Sequence, residues 1–322
     1  MIINEIGFES SRRDPLLKFD VYQEVNDFFQ EDTLEECEII NDTNKELGHR
    51  SGLSWSLTLH KFEYATLEYS AGNDLNFCEA LMQAALAELE RHKTQFQHKS
   101  FFYWEPDSFQ FLLWSMSFAV LSGKPDALQT IVRMLGKNPQ DNDDPLLSIL
   151  LARLGYIGLP RLDHLGFPKV YQHLYDAIKG DGVSPTKEER QESLTQYLRG
   201  WYKGMKDCYW YNRHKGRFPT FFGYWSFEAA LVTLLYDLDD SGYSHMLYYP
   251  KDLVAHARSQ GYASLFPMST PKHYIAFPNE VAPVEGVWQC NLTDEEVSLK
   301  KGERLPSKTE NENEHKLFWV SE

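Results

Sequence analysis

The stretch from Gly223 to Val254 constrains the fold more than any other, because it joins an apolar helix, an acidic terminus and an aromatic and proline restart. On a helix, Tyr224, Phe227, Leu231, Leu234 or Leu235, and Leu238 recur at three- and four-residue steps and share one buried stripe. Ser226 is placed to cap that helix. Glu228 then falls in the first turn, where the macrodipole favours a carboxylate. Asp237, Asp239 and Asp240 crowd the opposite end. Carboxylates there oppose the dipole and ask for a non-local reason, which a basic partner would supply. Tyr248, Tyr249 and Pro250 restart the chain ahead of Asp252.

Helical periodicity continues upstream. Tyr22, Val25 and Phe28 or Phe29 mark one helix. Leu59, Phe62, Ala65 and Tyr69 mark the next, which ends at Ser70, Ala71 and Gly72, where glycine can take the left-handed cap. Leu75, Cys78, Met82, Ala85 and Leu89 make a third face, so Tyr69 to Leu75 is an interhelical turn. The spacing predicts further helices over 107–122, 125–136 with Pro125 near its first turn, 145–156 and 167–179. Thr186 and Glu189 fit a capping box for a long helix that carries Leu194, Trp201, Met205 and Cys208 toward Tyr211. Gly180 to Pro185 is the clearest break. Asn212 to Pro219 is a compact basic cluster, read as a charged loop complementing nearby aspartates.

The style changes near Pro267. Pro267, Pro271, Pro278 and Pro283 exclude long helices, while Val287–Cys290, Glu296–Leu299 and Lys316–Val320 read as short strands. Lys308 to His315 reads as an exposed loop. The expected fold is mainly α: an N-terminal arm (1–14), two helical regions (15–140 and 141–262) and a small β-rich tail (263–322). A chain of 322 residues suits about two domains, and 42% hydrophobic residues supply their cores.

The formal charge is −15, from 47 acidic residues against 32 Lys and Arg. Such a balance argues against direct nucleic-acid binding, which needs clustered bases to neutralise phosphates. The acid is unevenly placed: ten carboxylates stand between Asp20 and Glu46 against Lys45 alone, a net −9. Within that window Glu31, Asp32, Glu35, Glu36 and Glu38 are candidates for steering a cationic protein partner. The alternative is a solvated helix face or loop. The four cysteines are scattered, with neither a CxxC pair nor a histidine at ligand spacing, so neither a disulfide framework nor a zinc site is expected. The amino terminus lacks the basic start and apolar run of a signal peptide, and Arg153 interrupts the longest apolar stretch. A reducing cytoplasm, with no membrane partner, is the expectation.

Two segments carry a family resemblance. Tyr224 to Ala230, Leu238 to Asp240 and Tyr248 to Val254 resemble the C-terminal domain of the PoNe immunity proteins, and Leu67 to Leu75 resembles the turn between two helices of that family's N-terminal domain. The family comprises bacterial proteins that neutralise DNase toxins of type VI and other polymorphic-toxin systems. The resemblance implies two helical immunity domains, a cognate toxin with a nuclease domain and a basic substrate cleft, and an inhibitor that is not an enzyme. It marks Tyr224, Trp225, Phe227, Glu228, Tyr249 and Pro250 as signature positions, expected mainly in packing.

The chemistry-bearing candidates are few. Glu105, Pro106 and Asp107 offer a carboxylate pair without the acidic-x-Lys unit that a nuclease needs, and Asp239 and Asp240 beside His245 read better as a helix-ending turn than as a metal site. No catalytic residue, metal or cofactor is expected. Asp237, Asp239, Asp240 and Asp252 are the candidate toxin contacts. Immunity to a toxin of another activity, a hydrolase with a dispersed active site and a helical scaffold for another bacterial protein are the alternatives. Oligomeric state is not legible.

Overall fold

A computed structural model describes residues 5–31, 33–101, 105–135, 144–159, 164–179, 184–216, 220–266, 273–291, 293, 295–306 and 318–321. Among them are twelve α-helices and five strands, and the fold is mainly α. The chain forms two compact units: one from Met1–Phe96 with Cys208–Trp225, the other from Gln97–Asp207 with Ser226–Glu322.

The first unit contains α1 (Glu5–Ser11), α2 (Phe19–Glu31), α3 (Thr33–Asn41), α4 (Leu47–Ser70) and α5 (Leu75–Gln95). The pairing of α4 with α5 dominates its packing, with Phe62, Ala65 and Tyr69 of α4 and Cys78, Met82, Ala85 and Leu89 of α5 all buried. The turn between them follows the sequence expectation. Gly72 sits at φ +88°, and a Cβ there would lie 2.0 Å from the Ser11 carbonyl oxygen, so only glycine fits. Asp74 then caps α5 by accepting from the backbone N–H groups of Asn76 and Phe77. The expected arm contains a helix, α1, whose Phe8 is buried against the rings of Phe19 and Tyr22. The acidic window is helical in α2 and α3, and α3 is anchored by Ile40 against Leu57 and Phe96.

The second unit begins with α6 (Pro106–Leu121), α7 (Ala127–Arg133), α8 (Pro145–Arg153), β1 (Tyr156–Ile157), α9 (Pro168–Ile178) and α10 (Lys187–Gly204). After the excursion through the first unit it resumes with α11 (Phe227–Leu235), α12 (Lys251–Ser259), β2 (His273–Ala276), β3 (Gly286–Cys290), β4 (Glu296–Leu299) and β5 (Phe318–Ser321). α11 is apolar apart from Glu228 and Thr233, and α6 is apolar from Phe109 onward apart from Gln110, Ser115 and Ser117, and this explains why every residue of α11 is buried and α6 is buried from Phe109 onward. The single buried stripe expected for α11 is therefore corrected to burial on all sides. Tyr224 precedes the helix and belongs to the first unit.

Some boundaries also move. α7 and α8 stop earlier than their periodicity predicts, and Tyr156–Ile157 forms a strand in place of a final helical turn. α10 carries the predicted capping box between Thr186 and Glu189 but gives way to a 3-10 turn at Met205, short of Tyr211. The five strands form one sheet in the order β1-β2-β5-β3-β4. β1 pairs in parallel with β2, so a strand from the helical region completes the sheet of the tail. The Asn291 amide also donates to the Leu135 carbonyl. The expected loops at 180–183 and 308–315 and the end of the basic cluster at 217–219 lie outside the described residues.

Candidate functional site

Two of the three aspartates after α11, Asp237 and Asp240, find bases within their own unit. Asp237 has φ +48°, and Lys187 Nζ donates to its Oδ2 at 2.8 Å and to its carbonyl oxygen at 2.6 Å. That bond draws the carboxyl below its ordinary range, although the Asp237 side chain remains 83% exposed. Asp239 accepts from the backbone N–H and the hydroxyl of Ser241, each at 3.0 Å, and these bonds lower its pKa as well. Asp240 is more enclosed, with its side chain 15% exposed. Its Oδ1 accepts from Arg258 at 2.7 Å and its Oδ2 from the Tyr249 hydroxyl at 2.8 Å. The acidic helix end thus has a non-local reason inside the fold, in Lys187 and Arg258. Asp252 stands in the first turn of α12, where the helix dipole favours it.

The signature positions carry packing. Glu228 is 1% exposed, and its Oε1 accepts from the Tyr197 hydroxyl at 2.7 Å, from the Ser226 hydroxyl at 2.8 Å and from the Trp201 indole N–H. Burial pushes the Glu228 pKa up, toward the neutral acid. Ser226 does occupy the N-cap position, but its hydroxyl serves Glu228 and makes no side-chain capping bond. Phe227 lies parallel to Trp114 and edge-on to Phe118, and Tyr249 meets Tyr243 edge-on at 5.1 Å. Pro250 holds the N-cap position of α12. In the first unit, Tyr224 bonds His214 at 2.8 Å, and the Trp225 indole donates to Ser70 Oγ.

In the described part of the basic cluster, Arg213 meets a glutamate where aspartates were expected. Arg213 lies 3.9 Å from Glu63, not from an aspartate, and Tyr209 donates to the same carboxylate at 2.6 Å. Burial still dominates there and pushes Glu63 up to about 7. Of the steering candidates, Glu36 is half-buried and Glu38 exposed on α3, while the side chains of Glu31, Asp32 and Glu35 lie outside the described residues.

A further carboxylate, which the sequence offered only as part of a turn motif, is Glu68 of α4. It is 3% exposed and is held by Tyr22, Tyr64 and Asn73, all neutral donors. Among the described residues no group of three His, Cys, Asp or Glu is arranged to hold a metal, and no helix is long and apolar enough to cross a membrane.

The helical fold is similar to that of a solved structure, protein PA2201 from Pseudomonas aeruginosa, at a TM-score of 0.54 and 13% identity over 78% of this chain and 92% of that one. At that identity the likeness is one of fold. No curated protein matches the sequence at a significant level. The class is that of helical immunity proteins: PoNe immunity protein (PoNi), N-terminal, matches residues 13–133, and PoNe immunity proteins (PoNi), C-terminal, matches residues 142–253. This chain belongs to the PoNe immunity protein family.

Proposed function

We propose that the chain binds and neutralises a cognate PoNe-type nuclease toxin, delivered by a type VI or other polymorphic-toxin system, in the cytoplasm of the cell that makes both. Membership of the immunity family over both helical regions carries this reading. Charge supports it. A nuclease must present a basic cleft to its phosphate substrate, and a chain of net charge −15 is complementary to such a cleft without performing chemistry. In this account the chain acts as an inhibitor and not as an enzyme.

The acidic window that holds Glu31, Asp32, Glu35, Glu36 and Glu38 steers the encounter. Asp237, Asp239, Asp240 and Asp252 are the proposed contacts, with Asp237 and Asp239 the more available because their side chains are exposed. The division into helical domains at 15–140 and 141–262, with a tail from 263, remains part of the proposal. Co-expression tests the reading: cells carrying the cognate toxin should grow when this chain is produced and stop when it is not. Arrest despite confirmed production of the folded chain would reject it.

A further inference from the structure

A cleft of about 600 Å³ opens in the first unit between α2, α4 and the turn into α5. Its wall includes Tyr22 and Asp27 from α2, Tyr64 and Glu68 from α4, and Asp74 and Phe77 from the turn and α5. Among the described residues, three carboxylates and no basic side chain line it. Phe77 is 45% exposed, so its ring is accessible at the cleft.

Glu68 is the one buried carboxylate of that lining, while Asp27 and Asp74 are exposed. Taking a carboxylate out of water is costly unless a cation or several donors compensate, and every donor supplied by the fold is neutral: the Tyr22 hydroxyl at 3.4 Å, Tyr64, and the Asn73 amide. A carboxylate has about four acceptor positions, so a further donor can be taken. We propose that this cleft receives an arginine side chain of the partner protein, with Glu68 as its counter-ion and the Tyr22, Tyr64 and Phe77 rings packing on the flat guanidinium. Arginine suits the site better than lysine because the planar group stacks on aromatic faces while its several N–H donors reach carboxylate and amide oxygens at once. The inference rests on the immunity reading for the identity of the partner, but not for the chemistry of the cleft.

The pH behaviour follows from the surroundings. The titratable groups around Glu68 are Tyr22 and Asp27 on α2, Tyr64 on α4, Asp74 at the turn, Cys78 on α5, and Arg13, which acts on Cys78. Burial raises the pKa values of Tyr22, Tyr64 and Cys78, so these groups stay neutral near pH 7. Glu68, pushed by burial up to about 7, changes charge there. Since a guanidinium prefers the ionised form, its affinity rises as the pH passes from about 6 to about 8.

The probe is N-acetyl-arginine amide, titrated into the intact chain and followed by the amide resonances of residues 73–77, with N-acetyl-citrulline amide as the uncharged control. Saturable binding is expected, at least about tenfold tighter than the control at pH 8, stronger at pH 8 than at pH 6, and reduced to the control level and made pH-independent by Glu68→Gln. The pair Asp27→Asn and Asp74→Asn, in which Asn keeps the helix cap, should weaken binding by about threefold with Glu68 intact. Equal binding of the two amides, or arginine binding unchanged by Glu68→Gln, would overturn the proposal. The toxin supplies a separate arm. Failure of the unaltered chain to bind or inhibit it would remove the immunity reading while the arginine titration still decides the cleft. Inhibition equally strong with Glu68→Gln would exclude the cleft from the toxin interface and so overturn the inference.

Discussion

Trp225 donates its indole N–H to Ser70 Oγ at 2.8 Å, and this bond joins the two segments by which the family is recognised in the sequence. Ser70 in turn donates to the Phe222 carbonyl at 2.7 Å, and the Tyr69 ring meets Trp225 edge-on at 4.8 Å. Segments separated by 155 positions in the chain are thus two sides of one buried junction.

Gly223 makes the junction possible. It has φ +106°, and a Cβ there would lie 2.0 Å from Ser70 Oγ, so Gly223→Ala combines backbone strain with a clash. It should cost about 2–4 kcal/mol in urea unfolding. Gly242→Ala, which meets open space at ordinary φ, is the control and should leave the midpoint nearly unchanged. Equal midpoints for the two variants would contradict the close approach.

Stability should be greatest near pH 5. Burial raises Glu63 and Glu68 to about 7 from an ordinary value of 4.5, so between those values the folded chain binds more protons than the unfolded one. Their contribution is complete below about 4.5 and is lost as the pH rises through about 7. For Glu63 the loss is on the order of 3 kcal/mol. Asp237 and Asp239, whose pKa values are lowered, act in the opposite sense and lose their contribution as the pH falls below 3.8. Melting temperature measured from pH 4 to pH 8 should fall on the alkaline side, and Glu63→Gln with Glu68→Gln should flatten that fall. A melting temperature that climbs steadily to pH 8 would show that these carboxyls are not held neutral.

What could be read in the sequence was local. The α4–α5 turn announced itself through Gly72 and Asp74, and the start of α10 through Thr186 and Glu189, because caps and turns depend on residues a few positions apart. Partners far along the chain left no such mark. The apolar residues on every face of α11 already pointed to enclosure on all sides, which a single-stripe reading passed over, but nothing local indicated that Lys187 and Arg258 would meet the aspartates behind it. The pairing of Tyr156–Ile157 with β2 was hidden for the same reason, since a two-residue strand has no period of its own. Glu68 could be named as part of a turn motif, but its burial arises only when α2 crosses α4.

Steering and contact should separate in kinetics. Replacing Glu31, Asp32, Glu35, Glu36 and Glu38 by their amides should slow association with the toxin by roughly tenfold at low salt and reduce its salt dependence. Asp237→Asn with Asp239→Asn should instead speed dissociation by about tenfold, with only a small fall in melting temperature because both side chains are exposed. Asp240→Asn breaks a charge-assisted bond to Arg258 and should lower stability by about 1–2 kcal/mol. Unchanged rate constants in the first two variants would place the interface elsewhere.

The tail should matter to the second unit. Removing residues 267–322 takes away β2, the partner of β1, together with the Asn291 bond to Leu135. The shortened chain should keep most of its helical circular dichroism and melt at a lower temperature. An identical melting curve would mean that the sheet adds nothing to the helices it joins.

The most direct measurement of the central claim is inhibition of the cognate nuclease by the purified chain. With toxin and DNA held constant and the chain titrated in, cleavage should fall to background at a fixed molar ratio, with a stable complex of the same ratio recovered on gel filtration. Undiminished cleavage in the presence of a large excess of folded chain would contradict the account.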